Sequence, residues 1–407
     1  MELGGGLPQS LSSPPTWRGA REDAAVVVWR RSVCLRFLIA LGLGVPMLGP
    51  ARLAAMAAQM PLVTCQPGEE LLSPSSSTVS SDGWVVQSYV TDEGLSFDRR
   101  IPPVGFDPTN VDQTYLSQHG FSKNVADHWT SGTHVSRVAG FCRSRTASSA
   151  GAGGQSGFSQ HWAGNLVTQA GTIDAPSTTK TPYRSVTGIW KLTKYANCDG
   201  GSSLASWVGL GGWHKNGQTN NHLIQAGVVQ WPPSSYYPAG HPLQAFWEII
   251  WGPGANDDSH VVNLSVKPKS TDRMFAEVDV DPDAGSAAFW VSDMTTGDSD
   301  NAFVPSDKRT PPSVTPGRIQ TAYDGSTAEW IDERPYLAYL PGLANFGFDN
   351  WQQMRTSLDG STFKGGHNST WWPIKMTSNG TSTGSKLASG GGIASDDTAM
   401  TQWFACS

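Results

Sequence analysis

Short runs in which apolar and polar residues alternate dominate the chain after residue 158. In 260–266, Val262, Leu264 and Val266 face one way while Val261, Asn263 and Ser265 face the other. Residues 275–280 alternate likewise. Ala288, Phe289, Trp290 and Val291 lead into Thr295-Thr296-Gly297-Asp298, a hairpin-like reversal. Near the end, 374–377 and 400–404 flank a stretch rich in Gly, Ser and Asn. No long window of helical period competes. Many strands with frequent turn signals predict an all-β chain built as an antiparallel sandwich or barrel.

Composition narrows the class further. Of 407 residues only 15% are charged, while Gly (45), Pro (27) and Trp (17) are plentiful, which excludes a coiled coil. A net charge of −6 and the lack of a Lys/Arg stripe exclude a basic nucleic-acid binder. With 38% hydrophobic residues, the chain as a whole is not disordered.

The N-terminus reads as an export signal. Arg30 and Arg31 precede an uncharged run over 37–51, followed by Ala54, Ala55, Met56, Ala57 and Ala58. These are the charged, apolar and small-residue parts of a signal peptide, and the run is too short to span a bilayer. The expectation is a leader over 1–57 and a secreted, monomeric product that does not associate with membranes. Cys65, Cys142, Cys198 and Cys406 then remain, enough for two disulfides with three possible connectivities. Neither C-x-x-C nor H-E-x-x-H occurs, so no metal site is expected. Residues 58–142 contain strand-like pieces such as Trp84-Val85-Val86 and carry no recognisable chemistry. They are expected to be a propeptide or an accessory region, less regular than the rest. Residues 143–157, rich in Gly, Ala and Ser, read as a linker, leaving 158–407 as the main domain.

Two strand-like segments embed a polar group among apolar neighbours: Gln225 in 222–229 and Glu329 in 327–331. A buried polar group costs about 1–3 kcal/mol unless it is hydrogen-bonded. A carboxylate and a carboxamide facing each other would meet that demand and hold a water; on a solvated sheet face both would be ordinary. Gly380-Thr381-Ser382-Thr383-Gly384 fits the G-x-S-x-G pattern, but a polar turn is the wrong context for a nucleophile elbow.

Seven segments, in order, resemble the glutamic peptidases (eqolisins): Trp162-Ala163-Gly164, Val186-Thr187-Gly188-Ile189-Trp190, Trp207-Val208-Gly209-Leu210-Gly211-Gly212, Leu223-Ile224-Gln225-Ala226-Gly227-Val228, Phe246-Trp247-Glu248, Met294-Thr295-Thr296-Gly297 and Ala328-Glu329-Trp330-Ile331. The resemblance covers about 158–407. It implies a concanavalin-type (jelly-roll) antiparallel β-sandwich and acid endopeptidase activity on polypeptides. It also implies Glu329 as the catalytic glutamate and Gln225 as its partner, with no metal or organic cofactor. By the same resemblance Trp162, Trp207 and Glu248 lie near the substrate cleft. Two departures stand out, because Gly211 and Asn345 occupy positions where the family usually has Asp.

Other classes remain open on the sequence. A carbohydrate-binding sandwich could use the tryptophans as stacking platforms. A glycosidase could use Glu248 and Glu329 as its carboxyl pair. A relative without activity would keep the fold alone.

Overall fold

The structure is a computed structural model. It describes residues 60–406 apart from 93, 130–132, 145–156, 174, 178–180, 197, 199–200, 214–221, 235–241, 252–260, 306–322, 324 and 336–338. The expected leader and most of the expected linker lie outside the described residues.

The first strands are β1 (Glu69–Leu72), β2 (Ser76–Val79), β3 (Val85–Val90), β4 (Ser96–Ile101), β5 (His134–Val135) and β6 (Phe141–Ser144). Two short helices stand between β4 and β5: α1 (Gln113–Gln118), capped by Asp112, and α2 (Lys123–His128), capped by Ser122. Next come β7 (Phe158–Ser159), β8 (Trp162–Thr168) and a separate hairpin of β9 (Ala170–Thr172) and β10 (Ala175–Ser177). The centre of the chain supplies β11 (Ser185–Lys191), β12 (Ser202–Gly211), β13 (His222–Gln230), β14 (Gln244–Trp251) and β15 (Val262–Asn263). Then follow β16 (Arg273–Asp281), β17 (Ser286–Asp293), β18 (Asp298–Val304), β19 (Thr327–Glu333) and β20 (Gly342–Leu343). The last are β21 (Phe348–Ser357), β22 (Phe363–Gly365), β23 (Thr370–Thr377), β24 (Lys386–Gly390) and β25 (Ala399–Trp403).

Hydrogen bonding links these strands into one ribbon folded over on itself. The first layer runs β1-β6-β15-β14-β13-β12-β19-β8-β23, antiparallel throughout. β23 then turns the corner: Thr370–Ile374 pair with β8, and Lys375–Thr377 pair with β24. The second layer continues β24-β25-β21-β11-β16-β17-β18-β4-β3-β2. The fold is therefore an all-β sandwich, as the alternation predicted. Both free ends of the ribbon are made by residues 60–144, a region whose strands the sequence left unplaced.

Alternation puts one face of each layer into the shared core. From the first layer, Val208, Leu210, Ile224, Ala226, Trp247, Ile249, Ala328 and Trp330 meet Val186, Trp190, Met274, Ala276, Val278, Phe289 and Val291 of the second. Within the described residues 261–266, only Val262–Asn263 pair as a strand. Ser265 leaves the ladder because Asp300 Oδ2 accepts both its amide (2.8 Å) and its hydroxyl (2.6 Å). The expected facing of the apolar side chains still holds, with Val262, Leu264 and Val266 in the shared core and Val261 on the opposite side. Asp293 Oδ1 ties the β17–β18 turn by accepting from the amides of Thr295 (2.8 Å) and Thr296 (3.3 Å). The disulfides join Cys65 to Cys142 and Cys198 to Cys406, which selects one of the three connectivities.

Carboxyl groups are buried in pairs. Asp332 and Asp349 are both fully buried and share Ser206, whose Oγ lies 2.7 Å from Asp332 Oδ1 and 3.1 Å from Asp349 Oδ2. A hydroxyl has one hydrogen, so it donates to one carboxylate and accepts from the other only if that one is protonated. Burial, then the neighbouring Asp332 charge, holds Asp349 well above the usual carboxylate range; Asp332 is raised as well, chiefly by burial. On β16, burial and the neighbouring Asp279 raise fully buried Glu277, and desolvation pushes half-buried Asp279 up to about 6. These groups bind more protons folded than unfolded. Their stabilisation is full below the ordinary carboxylate pKa and is lost as pH rises through the raised values. Buried His161, depressed to about 4 by burial, works the other way, losing its contribution as pH falls from about 6.5.

Among the described residues five carboxyls are raised, Asp272 included, against one depressed His, so the thermal midpoint is expected to fall as pH rises from about 4.5 to about 8. Asp349→Asn keeps a hydrogen-bonding group and removes the charge. It should raise the midpoint near pH 7.5 by a few degrees, at roughly 2–4 °C per kcal/mol, and leave it unchanged near pH 4. Differential scanning calorimetry across this range checks both, and a midpoint indifferent to pH would contradict the paired-proton account.

Candidate active site

The second face of the first layer carries the sequence-predicted residues. On β19, Ala328, Trp330 and Asp332 point into the sandwich, so Thr327, Glu329, Ile331 and Glu333 point out of it. The same alternation turns Trp207 and Gly209 of β12, Gln225 of β13 and Glu248 of β14 onto that face. Register then aligns them. Gly209 stands opposite Glu329 on one side and Gln225 on the other, and Gln225 stands opposite Glu248. The result is one row across five strands: Leu166, Glu329, Gly209, Gln225 and Glu248. The next row is Gly164, Ile331, Trp207, Gly227 and Phe246.

Glu329 and Gln225 are thus two strand spacings apart, about 9.6 Å between backbones, and the residue between them has no side chain. A Cβ on Gly209 would lie 2.7 Å from Trp207 Cζ3, so the indole rests directly on the Gly209 backbone. Trp207 Nε1 donates to Glu333 Oε2 at 2.8 Å, which fixes the ring, and Trp162 meets it edge-on at 5.1 Å between centroids. Trp162, Leu166, Trp207, Trp213, Leu223, Phe246, Ile250 and Ile331 form the apolar surroundings.

Glu329 is 0% exposed, and Gln225 and Glu248 are each 2% exposed. Gln225 Nε2 donates to Glu248 Oε2 at 2.7 Å. A carboxylate accepts only, so this contact fixes which way the amide points. It leaves one N–H of Nε2 uncommitted, and it leaves Gln225 Oε1 buried with no hydrogen-bond partner among the described residues. Leaving such an acceptor unpaired costs about 1–3 kcal/mol, so the amide is poised to receive a donor such as water.

All five residues singled out in the sequence therefore share one buried face. Three neighbours of these residues escaped the sequence reading. Glu333 holds the Trp207 indole. Thr327, adjacent to Glu329 on the same face, is fully buried, and its Oγ1 has no hydrogen-bond partner among the described residues. Tyr183, whose pKa is raised first by burial, is raised further by the Glu329 charge, so its hydroxyl lies within electrostatic reach. Period-two spacing could have flagged Thr327 and Glu333; nothing local flags Tyr183.

Gly211 has φ +80°, a conformation in which Asp would be strained. Asn345 Oδ1 accepts from the Gly347 amide at 3.0 Å and shapes a turn. Residues 380–384 form an exposed turn between β23 and β24 with no helix after it, so no nucleophile elbow exists there. Among the described residues the one cluster of metal-ligating types is Cys65, Glu69 and Cys142, and its two sulfurs are bonded to each other.

No family model and no curated protein matches the chain. Among solved structures, scytalido-glutamic peptidase bound to a transition-state analogue inhibitor aligns over 60% of this chain and 98% of its own, with 14% identity and a TM-score of 0.41. SCP-B, a member of the eqolisin family in complex with the tripeptide Ala-Ile-His, aligns over the same shares at 12% identity and a TM-score of 0.39. A tailspike protein of an Escherichia coli O157:H7 bacteriophage aligns over 48% of this chain and 23% of its own, at 8% identity and a TM-score of 0.26. Values this low transfer neither residues nor activity.

Gly209→Ala is expected to push Trp207 off the floor of the site at a cost of about 1–3 kcal/mol. Near-UV circular dichroism and a denaturant midpoint read the two effects. An unchanged tryptophan signature would mean that the indole does not rest on Gly209.

Proposed function

We propose that the chain is a secreted acid endopeptidase in which Glu329 and Gln225 activate a water against the peptide bond. The observation that carries this reading is the row Glu329–Gly209–Gln225–Glu248, with a carboxylate and an oriented amide flanking a position without a side chain. The seven-segment resemblance to glutamic peptidases supports it from the sequence side. Two disulfides among the described residues fit an oxidising compartment, and the raised carboxyl pairs fit work at low pH.

In this mechanism Glu329, as carboxylate, takes a proton from water while the water oxygen bonds to the scissile carbonyl carbon. Gln225 Oε1 accepts the water's other hydrogen. The carbonyl π electrons move onto oxygen, and the free N–H of Gln225 Nε2 donates to that oxyanion. Glu329 then returns its proton to the amide nitrogen as the C–N bond breaks, so no covalent intermediate forms. Glu248 acts through Gln225 by fixing the amide, and Trp207 closes one side of the site.

The carbohydrate alternatives draw less support. Glu248 is engaged by Gln225, which stands between it and Glu329. Seven tryptophans, Trp84, Trp162, Trp190, Trp207, Trp247, Trp330 and Trp351, are fully buried. They offer no open stacking platform, and Trp371, which is 39% exposed, lies on β23 outside the row Glu329–Gly209–Gln225–Glu248.

Incubation of the purified full chain with denatured protein and with polysaccharides at acidic and neutral pH tests the reading. Only the protein should be cut, and faster in acid. Glu329→Gln should abolish turnover, and Gln225→Ala should lower kcat at least about 10²-fold. Glu248→Gln should cause a smaller loss, because an amide still accepts from Gln225 but no longer dictates its orientation. Wild-type proteolysis by a folded Glu329→Gln protein would overturn the assignment.

A further inference from the structure

Residues 60–144 grip the sandwich on three sides. In the first layer β6 pairs with the short β15, and β1 with β6, so the sheet that bears the candidate site ends in this segment. In the second layer β4 pairs with β18, and the Asn301 side chain zips the same edge, donating to Arg100 O and accepting from Arg100 N, both at 2.9 Å. On the outer face of the second layer, Trp84, Leu116, Phe121, Val125 and Trp129 cover Ile189, Phe275, Trp290 and Phe303. Beside that cluster Glu277 accepts from Ser122 and Asn124 at the start of α2.

The contacts continue into the interior. Tyr89, Phe97 and Phe141 belong to the same core as Trp247 and Phe289. Arg99 and Asp300 form an ion pair at 2.6 Å with both side chains 0% exposed, and Arg99 also donates to Val138 O at 2.8 Å. Removing one partner of such a pair leaves an uncompensated buried charge. Covalent links, by contrast, do not cross. The Cys65–Cys142 bond lies wholly before residues 145–156, and the Cys198–Cys406 bond wholly after them.

We propose that residues 60–144 are a permanent non-covalent partner of the sandwich, retained even if the chain is cut between 144 and 157, and a buttress for strand β14. Phe97 meets Trp247 edge-on at 4.9 Å, next to Glu248 in the strand. Glu69 Oε1 accepts from Gln244 Nε2 and from Asn263 Nδ2, each at 2.6 Å. This segment therefore supports both faces of the strand that orients Gln225. Exposed edges of β15 and β18 would otherwise invite pairing with other chains. The retention does not depend on the peptidase reading; the effect on turnover rests on it.

A recognition sequence for a site-specific protease, placed within 145–156 of the full chain, provides the test. After cutting, the two fragments are expected to co-elute in non-reducing gel filtration at acidic and at neutral pH, with unchanged near-UV circular dichroism and unchanged proteolysis. Separation accompanied by loss of the near-UV signal would overturn the retention, because the fragment is then no permanent partner. Departure of the N-terminal fragment at either pH, while the remainder keeps its signal, would overturn it. If the cut protein stays whole but neither form cleaves protein, the peptidase reading fails and this one stands.

Discussion

Backbone hydrogen bonds across β14, β13, β12 and β19 decide which residues stand opposite one another, and the candidate site depends on that single register. A slip of one residue in β13 would send Gln225 into the core and bring Ile224 or Ala226 to the site. The core prevents the slip, because Ile224, Ala226 and Val228 pack against the second layer and would be exchanged for Leu223, Gln225 and Gly227. Positioning of the amide is thus a by-product of hydrophobic burial on the opposite face. Glu329 is held in the same way by Ala328 and Trp330, whose indole nitrogen donates to Thr187 O at 2.9 Å.

This explains what could be read from the sequence. Alternation around Gln225 and Glu329 revealed strands, and a polar residue embedded in an apolar run marked each position. Pairing between β12 and β19 joins segments separated by more than a hundred residues, and no local pattern encodes it; only the ordered series of motifs implied it. Residues 60–144 were harder for a physical reason. Their strands are short; β2, β3 and β4 pair locally, but the core that buries them is reached only through β4 with β18 and β6 with β15, far along the chain. Arg99 looks like a surface cation until Asp300, 201 residues away, is brought beside it.

The same burial that positions the site concentrates acidic groups where water does not reach. Two carboxylates side by side cannot both ionise cheaply, so each buried pair retains a proton that water would otherwise take. Asp332 is next but two to Glu329 on β19 and faces the opposite side of the layer, so a single strand carries proton-holding chemistry on its inner face and candidate proton-transfer chemistry on its outer one. Neutralising the inner pair thus acts on the strand that the outer face uses.

The ribbon's two free ends both come from a stretch that leaves the ribosome well before the strands that bury it. β4 must wait for β18, and Arg99 for Asp300, while some 201 residues are added; at roughly 5–20 residues per second that is an interval of about 10–40 s. During it Tyr89, Phe97 and Phe141 have no core to enter, and β4, paired only with β3, presents an open edge. Non-local closure of this kind is slow even once the chain is complete. The nascent chain is therefore exposed to mispairing early in synthesis, and β4, which will seal one sheet, waits about as long for β18 as β8 does for β23.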